Sequence, residues 1–163
     1  MGNAVEMAKY YSLSGADELC MLDINASYQN RKTFIKTVES IAKVINIPLT
    51  VGGGVSDLSD ITDLLNAGAD KVSINSAAVK NPKLIRQASL RHGSQCIVVA
   101  IDGKRHKNKM KVVIKGGREI TKNELITWAK QVQSLGAGEI LMTSMDTDGC
   151  LLYTSPSPRD RPL

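Results

Sequence analysis

The chain has 163 residues, of which 42% are hydrophobic, 23% charged and 4% aromatic, and its formal net charge is +5. This length fits one domain or a piece of a larger one, and 13 glycines, 5 prolines and 3 cysteines exclude a collagen-like, low-complexity or disulfide-stapled protein. Apolar runs such as 97–101 are far shorter than the roughly 20 residues that cross a bilayer, and no signal peptide is recognisable, so we expect a soluble, cytoplasmic protein without membrane contact.

Three related segments divide the chain into helix–strand units. Residues 15–18, 68–71 and 136–139 read Gly-Ala-Asp-Glu, Gly-Ala-Asp-Lys and Gly-Ala-Gly-Glu, and each separates an amphipathic stretch from an apolar run. Glycine is common just after the last turn of a helix. Each copy therefore predicts a helix that ends at the glycine and a strand that follows it.

The segments between these units have the spacing of amphipathic helices. The helical stripes comprise Phe34, Ile35, Val38, Ile41, Ala42 and Ile45 in one case, and Ile61, Leu64 and Leu65 in the other. Asn81 and Pro82 predict the N-cap and first turn of a helix that ends near Leu90. Residues 121–124 match a capping box that would open another helix, with Trp128 on its buried side rather than stacked on a ligand.

The predicted strands are short and apolar on both faces, which is typical of parallel strands covered by helices. They lie near residues 18–23, 48–52, 70–75, 97–102 and 139–143. After Asp102 we expect an inserted β-hairpin in which residues 111–114 turn on Gly116 and Gly117. This α/β pattern fits either a doubly wound sheet or part of an eight-stranded barrel, and periodicity does not decide between them.

Small and polar residues follow the predicted strands at their carboxyl ends, where ligands bind in both architectures. The run 52–54 is all glycine, which lets a backbone approach an anion, and the helix after Ser56 would offer N–H groups. Together with Asn75 and Ser76, one strand further along, Gly54 and its neighbours predict a phosphate site. The GxGxxG and P-loop patterns are absent, so we expect no dinucleotide or other cofactor.

Two aspartates end predicted strands. Asp102 follows the most hydrophobic strand, and a carboxylate at a barrel mouth suits general acid–base chemistry. The alternative for Asp102 is a structural acid paired with Lys104 or Arg105. For Asp23, a structural role with Ser27 fits the sequence equally well.

Charged residues recur at the opposite ends of the strands. Glu18, Lys71 and Glu139 occupy equivalent positions just after the repeated glycine segments. In a closed parallel barrel such positions form a ring at the base, where Lys71 would pair with both glutamates. The ring is either a set of ordinary surface pairs, each worth well under about 1 kcal/mol, or a plug across the barrel axis.

Metal and nucleic-acid sites have little support in the sequence. Cys20, Cys96 and Cys150 form no CxxC pair, and the first two lie in apolar runs, which predicts reduced core residues. The two histidines are too few for a metal site. We treat the basic residues as scattered over a solvated surface, without interleaved aromatic residues, and expect no nucleic-acid partner.

The composition changes after Gly149. Residues 150–163 contain three of the five prolines and have neither helical nor strand periodicity. We interpret them as a non-native, disordered tail, with a native disordered terminus as the alternative. Residues 1–149 then form the folded unit.

From about Val5 to Gly149, the sequence resembles the cyclase subunits of imidazole glycerol phosphate synthase, a family of histidine biosynthesis. The motifs that carry the resemblance are spread along nearly all of that segment and are highly specific in combination. They are residues 15–27, 51–55, 68–79, 98–102 and 136–149.

The resemblance implies a (βα)8 barrel and a defined reaction. Members of the family use ammonia from a glutaminase subunit to convert a phosphoribulosyl-formimino aminoimidazole ribonucleotide into imidazole glycerol phosphate and an aminoimidazole carboxamide ribonucleotide. Two aspartates share the acid–base work, and Asp102 matches the one on the family's fifth strand. Gly54, Asn75 and Ser76 match one phosphate site, in which threonine is usual at the last position.

The resemblance also assigns residues at the base of the barrel. Glu18, Lys71 and Glu139 match three members of a charged gate for ammonia, and Asp70 matches a face near the glutaminase. Relative to the family pattern, this chain lacks the first strand with its catalytic aspartate and, after Gly149, the last two strands with the second phosphate site. We therefore assign the activity to a longer parent protein and expect this chain, as given, to be inactive.

Three alternatives remain. The isomerase of the preceding step shares the half-barrel pattern, although the segment 23–27 and the stretch 103–105 with its hairpin favour the cyclase. A cyclase-like paralogue delivers ammonia in surface-sugar biosynthesis. From another class, a non-catalytic half barrel would bind phosphate or a partner without turnover.

Overall fold

The computed structural model describes residues 3–23 and 31–146, which form six α-helices and seven strands. The predictions for Ser27, Cys150 and the tail from residue 150 lie outside these residues. The elements are α1 (Ala4–Leu13), β1 (Leu19–Leu22), α2 (Arg31–Ala42), β2 (Leu49–Gly52), α3 (Leu58–Asn66), β3 (Lys71–Ile74), α4 (Ser76–Lys80), α5 (Lys83–His92), β4 (Ile97–His106), β5 (Lys109–Ile114), β6 (Glu119–Glu124), α6 (Leu125–Ser134) and β7 (Glu139–Ser144).

The parallel strands follow one another across the sheet in chain order. β1 pairs with β2, β2 with β3, β3 with β4 and β4 with β7, and every one of these pairs is parallel. A doubly wound sheet reverses its strand order at a switch point, whereas a barrel adds each strand on the same side. The order excludes the doubly wound alternative, and the fold is a partial (βα)8 barrel. The five predicted parallel strands are confirmed.

The insertion after Asp102 is larger than the predicted hairpin. β4 continues to His106 and pairs antiparallel with β5, which pairs antiparallel with β6. Asp102 lies where β4 changes neighbours, opposite Val113 of β5 and Thr143 of β7. The strand therefore carries its polar end out of the barrel wall and into a three-stranded extension.

The predicted capping box at residues 121–124 is wrong. These residues lie in β6, where the Thr121 hydroxyl donates to the Val112 carbonyl at 2.8 Å instead of capping a helix. α6 begins at Leu125, and no side chain caps it. As an N-cap, the hydroxyl oxygen would accept an N–H of the first helical turn. The antiparallel pairing of β6 with β5 instead keeps residues 121–124 extended, and the hydroxyl donates across the hairpin. Trp128 is 1% exposed, so its predicted place in the core is confirmed.

The other helices follow the predicted stripes. Val38 and Ile41 of α2, and Ile61 and Leu64 of α3, are buried against the strands. The ends of α5 differ from the prediction. Pro82 precedes the first helical residue, and the helix continues past Leu90 to His92, followed by Gly93 with a φ of 92°. No helix in the described ranges is long and apolar enough to cross a membrane.

Burial differs between the central and the outermost parallel strands of the sheet. Val51, Val72 and Val99 are fully buried, whereas Leu22 and Met142, on the outermost parallel strands, are 52% and 50% exposed. Cys20 is exposed as well, which contradicts its predicted place in the core, and Cys96 is half-buried. β1 has a paired neighbour on one side only within the described residues, so an apolar run there does not guarantee burial.

Candidate active site

A cavity of about 560 Å³ opens at the carboxyl ends of the parallel strands. Its lining includes four residues predicted for the phosphate site and the acid–base site, namely Gly54, Asn75, Ser76 and Asp102, and also Asp23. Strand ends that lie apart in the sequence meet here because the parallel strands run in the same direction. The structure brings the predicted mouth residues together, and their roles stay predictions.

Asp102 is held by a neighbouring strand end. The Asn75 side-chain amide donates to Asp102 Oδ2 at 2.8 Å, from the residue that follows β3. Within the described residues, this amide is the polar side-chain partner of Asp102, rather than Lys104 or Arg105. The hydrogen bond fixes the orientation of the carboxylate and links the predicted acid–base residue to the predicted phosphate site.

The same amide leaves an acceptor at the cavity wall. Because the Asn75 amide nitrogen is directed at Asp102, its oxygen Oδ1 faces the other way, and that atom is buried without a hydrogen-bond partner in the described part of the chain. A buried acceptor without a donor is costly, and bound ligands commonly satisfy such atoms. Asn75 lines the cavity, but this oxygen is itself buried, so a ligand donor would reach it only after a local rearrangement.

The glycine run owes its composition to a close approach of two backbones. Gly53 has a φ of 98°, and a β-carbon there would lie 2.6 Å from the backbone nitrogen of Asp23. Gly54 follows with a φ of 62°, again in the left-handed region that favours glycine. The loop can therefore pass close to the end of β1 and still form part of the cavity wall.

The helix after this loop does not offer the free N–H groups that the sequence predicted. The Asp60 N–H donates to the Asp57 carboxylate, and the Ser56 N–H and hydroxyl both donate to Asp60 Oδ2, at 2.7 Å. Two carboxylates thus occupy the N-terminus of α3 and would repel an anion. The prediction failed because Asp57 and Asp60 are themselves capping residues, so any phosphate must rely on the loop and its other neighbours.

Two cavity residues were missed from the sequence. Lys115 and Arg118 line the cavity from the turn between β5 and β6. They flank Gly116 and Gly117, which the sequence had marked as a turn. A hairpin that leaves the sheet at Asp102 must fold back towards the mouth, so the two cations on its turn were detectable by topology.

The base of the barrel holds the predicted charged cluster. Lys71 Nζ lies 3.0 Å from Glu18 Oε2 and 2.6 Å from Glu139 Oε1, so the predicted pairing with both glutamates is confirmed. The Thr50 hydroxyl donates to the other oxygen of Glu18. A second cavity, of about 280 Å³, rises from Glu18 and Glu139 past Cys20 and Thr50.

These contacts shift two pKa values. Hydrogen bonds from Thr50 and then Lys71 hold the pKa of Glu18 below its ordinary value, against the opposing effect of burial. Hydrogen bonds to Glu139 and then Glu18 raise the pKa of Lys71. The lysine side chain is 18% exposed and the glutamates are 35% and 51% exposed, so the triad is only partly shielded from water. We call Glu18, Lys71 and Glu139 the basal triad.

Asp70 combines a structural bond with an exposed position. Its Oδ2 accepts from the Leu49 N–H at 2.8 Å, and its own N–H donates to the Leu49 carbonyl at 2.9 Å. The residue therefore fixes the start of β2, while its side chain remains at the surface. Among residues 3–23 and 31–146, no group of three or more histidine, cysteine or acidic side chains could hold a metal ion.

Comparison with known proteins assigns the chain to a family. A family model described as "Histidine biosynthesis protein" matches residues 1–152. The chain belongs to that family. Curated relatives include the "Imidazole glycerol phosphate synthase subunit HisF" of Prochlorococcus marinus (strain MIT 9515), which is 58% identical over 151 residues, and that of Campylobacter concisus (strain 13826), 56% identical over 148 residues. A third, from Clostridium botulinum (strain Okra / Type B1), is 53% identical over 151 residues.

Each of these alignments covers 91% of this chain. The chain spans 59% or 60% of the length of those relatives. The family is one of (βα)8 barrels, in agreement with the singly wound sheet. Its members that match here are subunits of a synthase, which implies a second subunit in those proteins.

Proposed function

We propose that this chain forms part of the cyclase subunit of an imidazole glycerol phosphate synthase. The supporting observation is the hydrogen bond between Asn75 and Asp102, at 2.8 Å, in the wall of the cavity at the barrel mouth. It joins a residue proposed to bind phosphate to a carboxylate proposed to move protons. The high identity to synthase subunits supports the same assignment.

The whole protein would use ammonia from a glutaminase subunit, in the cytoplasm. Its substrate would be the phosphoribulosyl-formimino aminoimidazole ribonucleotide, and its products imidazole glycerol phosphate and the aminoimidazole carboxamide ribonucleotide. Within the described residues, β1 and β7 leave the wall open between them. We therefore assign turnover to the longer protein and none to this chain alone.

Asp102 would act as a general acid–base residue. When ammonia is built into a ring, its nitrogen must lose protons, and the departing group must gain one. A carboxylate fixed at the cavity wall can accept and return such a proton, which is typically worth 10² to 10⁴ in rate. The amide of Asn75 would hold it in place, while Gly54 and Ser76 would contact a substrate phosphate.

The basal triad would gate the entry of ammonia from the partner. Its position at the amino-terminal ends of the strands, opposite the cavity with Asp102, supports a route that enters at the base and ends at the mouth. The second cavity beside Glu18 and Glu139 lies along that route. Asp70 would lie on the face that the glutaminase contacts.

The experiment measures turnover of the longer protein with ammonium salt as the nitrogen donor, so that no partner is needed. We expect Asp102→Asn to lower turnover at least about 100-fold. Asp63→Asn is the matched control: it makes the same change on the exposed side of α3 and should leave turnover unchanged. Near-normal turnover in Asp102→Asn would contradict the assignment. A wild-type protein that binds phosphate and forms no product would favour the non-catalytic alternative.

A further inference from the structure

The positive charge of the chain is concentrated, not scattered as we had assumed. Residues 104–124, from the last three residues of β4 to the end of β6, contain eight of the 21 lysine and arginine residues and only two of the 16 acidic ones. This segment, which we call the cationic ribbon, thus carries an excess of six positive charges, whereas the whole chain carries five. The rest of the protein is close to neutral.

The ribbon is anchored to the barrel mouth at its turn. The Lys115 N–H donates to Ser76 Oγ at 3.3 Å, which connects the turn to the proposed phosphate site. A β-carbon on Gly117 would lie 2.8 Å from the side chain of Met145, and the Met145 N–H donates to the Gly103 carbonyl at 2.8 Å. The turn therefore packs on Met145, the residue that follows β7, and Lys115 and Arg118 of this turn belong to the cavity lining.

Lys115 occupies a backbone conformation that would normally favour glycine. Its φ is 56°, and Gly116 and Gly117 continue in the left-handed region. A side chain at such a position costs conformational energy and is worth a functional hypothesis. Lys115 belongs to the cavity lining, and its Nζ pairs with Glu119 Oε2, outside the lining, at 2.7 Å.

The charges in the cavity indicate where an anion would lie. Asp23 and Asp102 are the acidic residues of the lining, and Lys115 and Arg118 are the basic ones. A phosphate dianion is repelled by the carboxylates and attracted by the cations, which form strong charge-assisted hydrogen bonds with phosphate oxygens. The favourable position is therefore beside the turn, next to Ser76.

We propose that Lys115 and Arg118 hold a phosphate group of the ligand against the loop residues Gly54 and Ser76. On binding, Lys115 exchanges its contact with Glu119 for a contact with phosphate. The remaining cations of the ribbon raise the local concentration of anionic ligands around the mouth. This inference rests on the proposed function, because it assigns two more residues to the phosphate site of the same cavity.

The test measures binding of inorganic phosphate by calorimetry at low ionic strength, with the longer protein used for the Asp102 experiment. Lys115→Met should weaken phosphate binding about tenfold. This loss is at the lower end of what a hydrogen bond to a charged group contributes, because the Lys115 side chain is half exposed. Glu119→Gln frees the lysine and should strengthen binding about twofold. Lys122→Met is the control, because it removes the same charge from the ribbon at a residue outside the cavity lining. Its phosphate affinity should change by less than about twofold.

Weaker phosphate binding in Lys115→Met and stronger binding in Glu119→Gln would together exclude misfolding as the cause, because misfolding could only weaken binding. Equal weakening by Lys115→Met and Lys122→Met would overturn the proposal, since the ribbon would then act only through its total charge. Unchanged phosphate binding in Lys115→Met, in a protein that still forms product, would remove this inference and leave the proposed function standing. Phosphate binding that depends on Lys115 in a protein without turnover would support this inference and contradict the proposed function.

Discussion

The base and the mouth of the partial barrel both concentrate charge, but they do so by different means. At the base, the three residues of the basal triad lie at strand starts, and each finds its partner in the triad. At the mouth, the charged and polar residues come from β4, from loops and from an inserted ribbon, and they line a cavity of about 560 Å³. The strand register places the base residues and Asp102, whereas loop conformation places the other residues of the mouth.

This difference between base and mouth predicts different functional consequences of substitution. At the base, Lys71 forms ion pairs with both Glu18 and Glu139, and these pairs must break before a molecule can pass between the three side chains. Asp102 and Lys115 also have partners, Asn75 and Glu119, but both line an open cavity that a ligand can enter. The comparison predicts that substitutions at the mouth disturb loops and binding, whereas substitutions at the base have small effects on stability and larger ones on passage.

Gly53→Ala should give the largest effect on stability. The added β-carbon would overlap the backbone of Asp23, so the end of β1 must move, and we expect a loss of about 2–4 kcal/mol in the free energy of unfolding. Gly116→Ala is the matched control, because its φ of 64° is also positive but nothing lies within 4 Å of the new carbon. There we expect only about 1 kcal/mol, the cost of the backbone conformation. Urea denaturation of the chain measures both, and equal losses would contradict the close approach.

Asp70 should show an intermediate effect that separates structure from partner binding. Asp70→Ala leaves the Leu49 N–H without its acceptor and should cost about 1 kcal/mol. Asp70→Asn keeps a carbonyl oxygen in place and should unfold almost like the wild type. If Asp70 lies on the glutaminase face, the asparagine variant should still bind that subunit more weakly. Unchanged affinity in the longer protein would restrict Asp70 to its structural bond.

The smallest expected effect is the pH dependence of the basal triad. The lowered pKa of Glu18 means that its stabilising contribution is present above its ordinary pKa, about 4.3, and is lost as the pH falls through the lowered value. The raised pKa of Lys71 gives a contribution that is present below its ordinary pKa, about 10.4, and is lost as the pH rises through the raised value. Glu18→Gln should therefore flatten the acid limb of the stability profile, by less than about 1 kcal/mol because the groups are partly exposed. An acid limb identical to that of the wild type would show that Glu18 gains nothing from its partners.

Much of the fold could be predicted from the sequence, because strands and helices leave local patterns. The apolar run before Asp102 and the stripe through Val38 and Ile41 gave the correct elements. The strand order needed the structure, since periodicity does not record which strands pair. The capping box at 121–124 failed for a related reason: pairing with β5 holds these residues extended, and the Thr121 hydroxyl donates to Val112 instead of accepting a helix N–H.

The base was more predictable than the mouth. Glu18, Lys71 and Glu139 share one position relative to a repeated segment, so their pairing followed from the repeat. At the mouth, Gly54, Asn75, Ser76 and Asp102 were found because the apolar runs of the predicted strands end there. The contribution of Lys115 and Arg118 was missed because it depends on how the ribbon folds back. Cys20 was misplaced because burial of an outermost strand depends on its neighbours and not on its own composition.

One measurement tests the central claim, that chemistry takes place at the mouth and ammonia enters through a gate at the base. The longer protein, assembled with its glutaminase, is assayed for glutamate and imidazole product together, with glutamine and then with free ammonia. Asp102→Asn should lose product with either nitrogen source. Lys71→Ala leaves Glu18 and Glu139 as facing like charges and should raise the ratio of glutamate to product above one, while turnover with free ammonia changes much less. A ratio that stays at one in Lys71→Ala would contradict the gate and leave the basal triad as a structural ion-pair cluster.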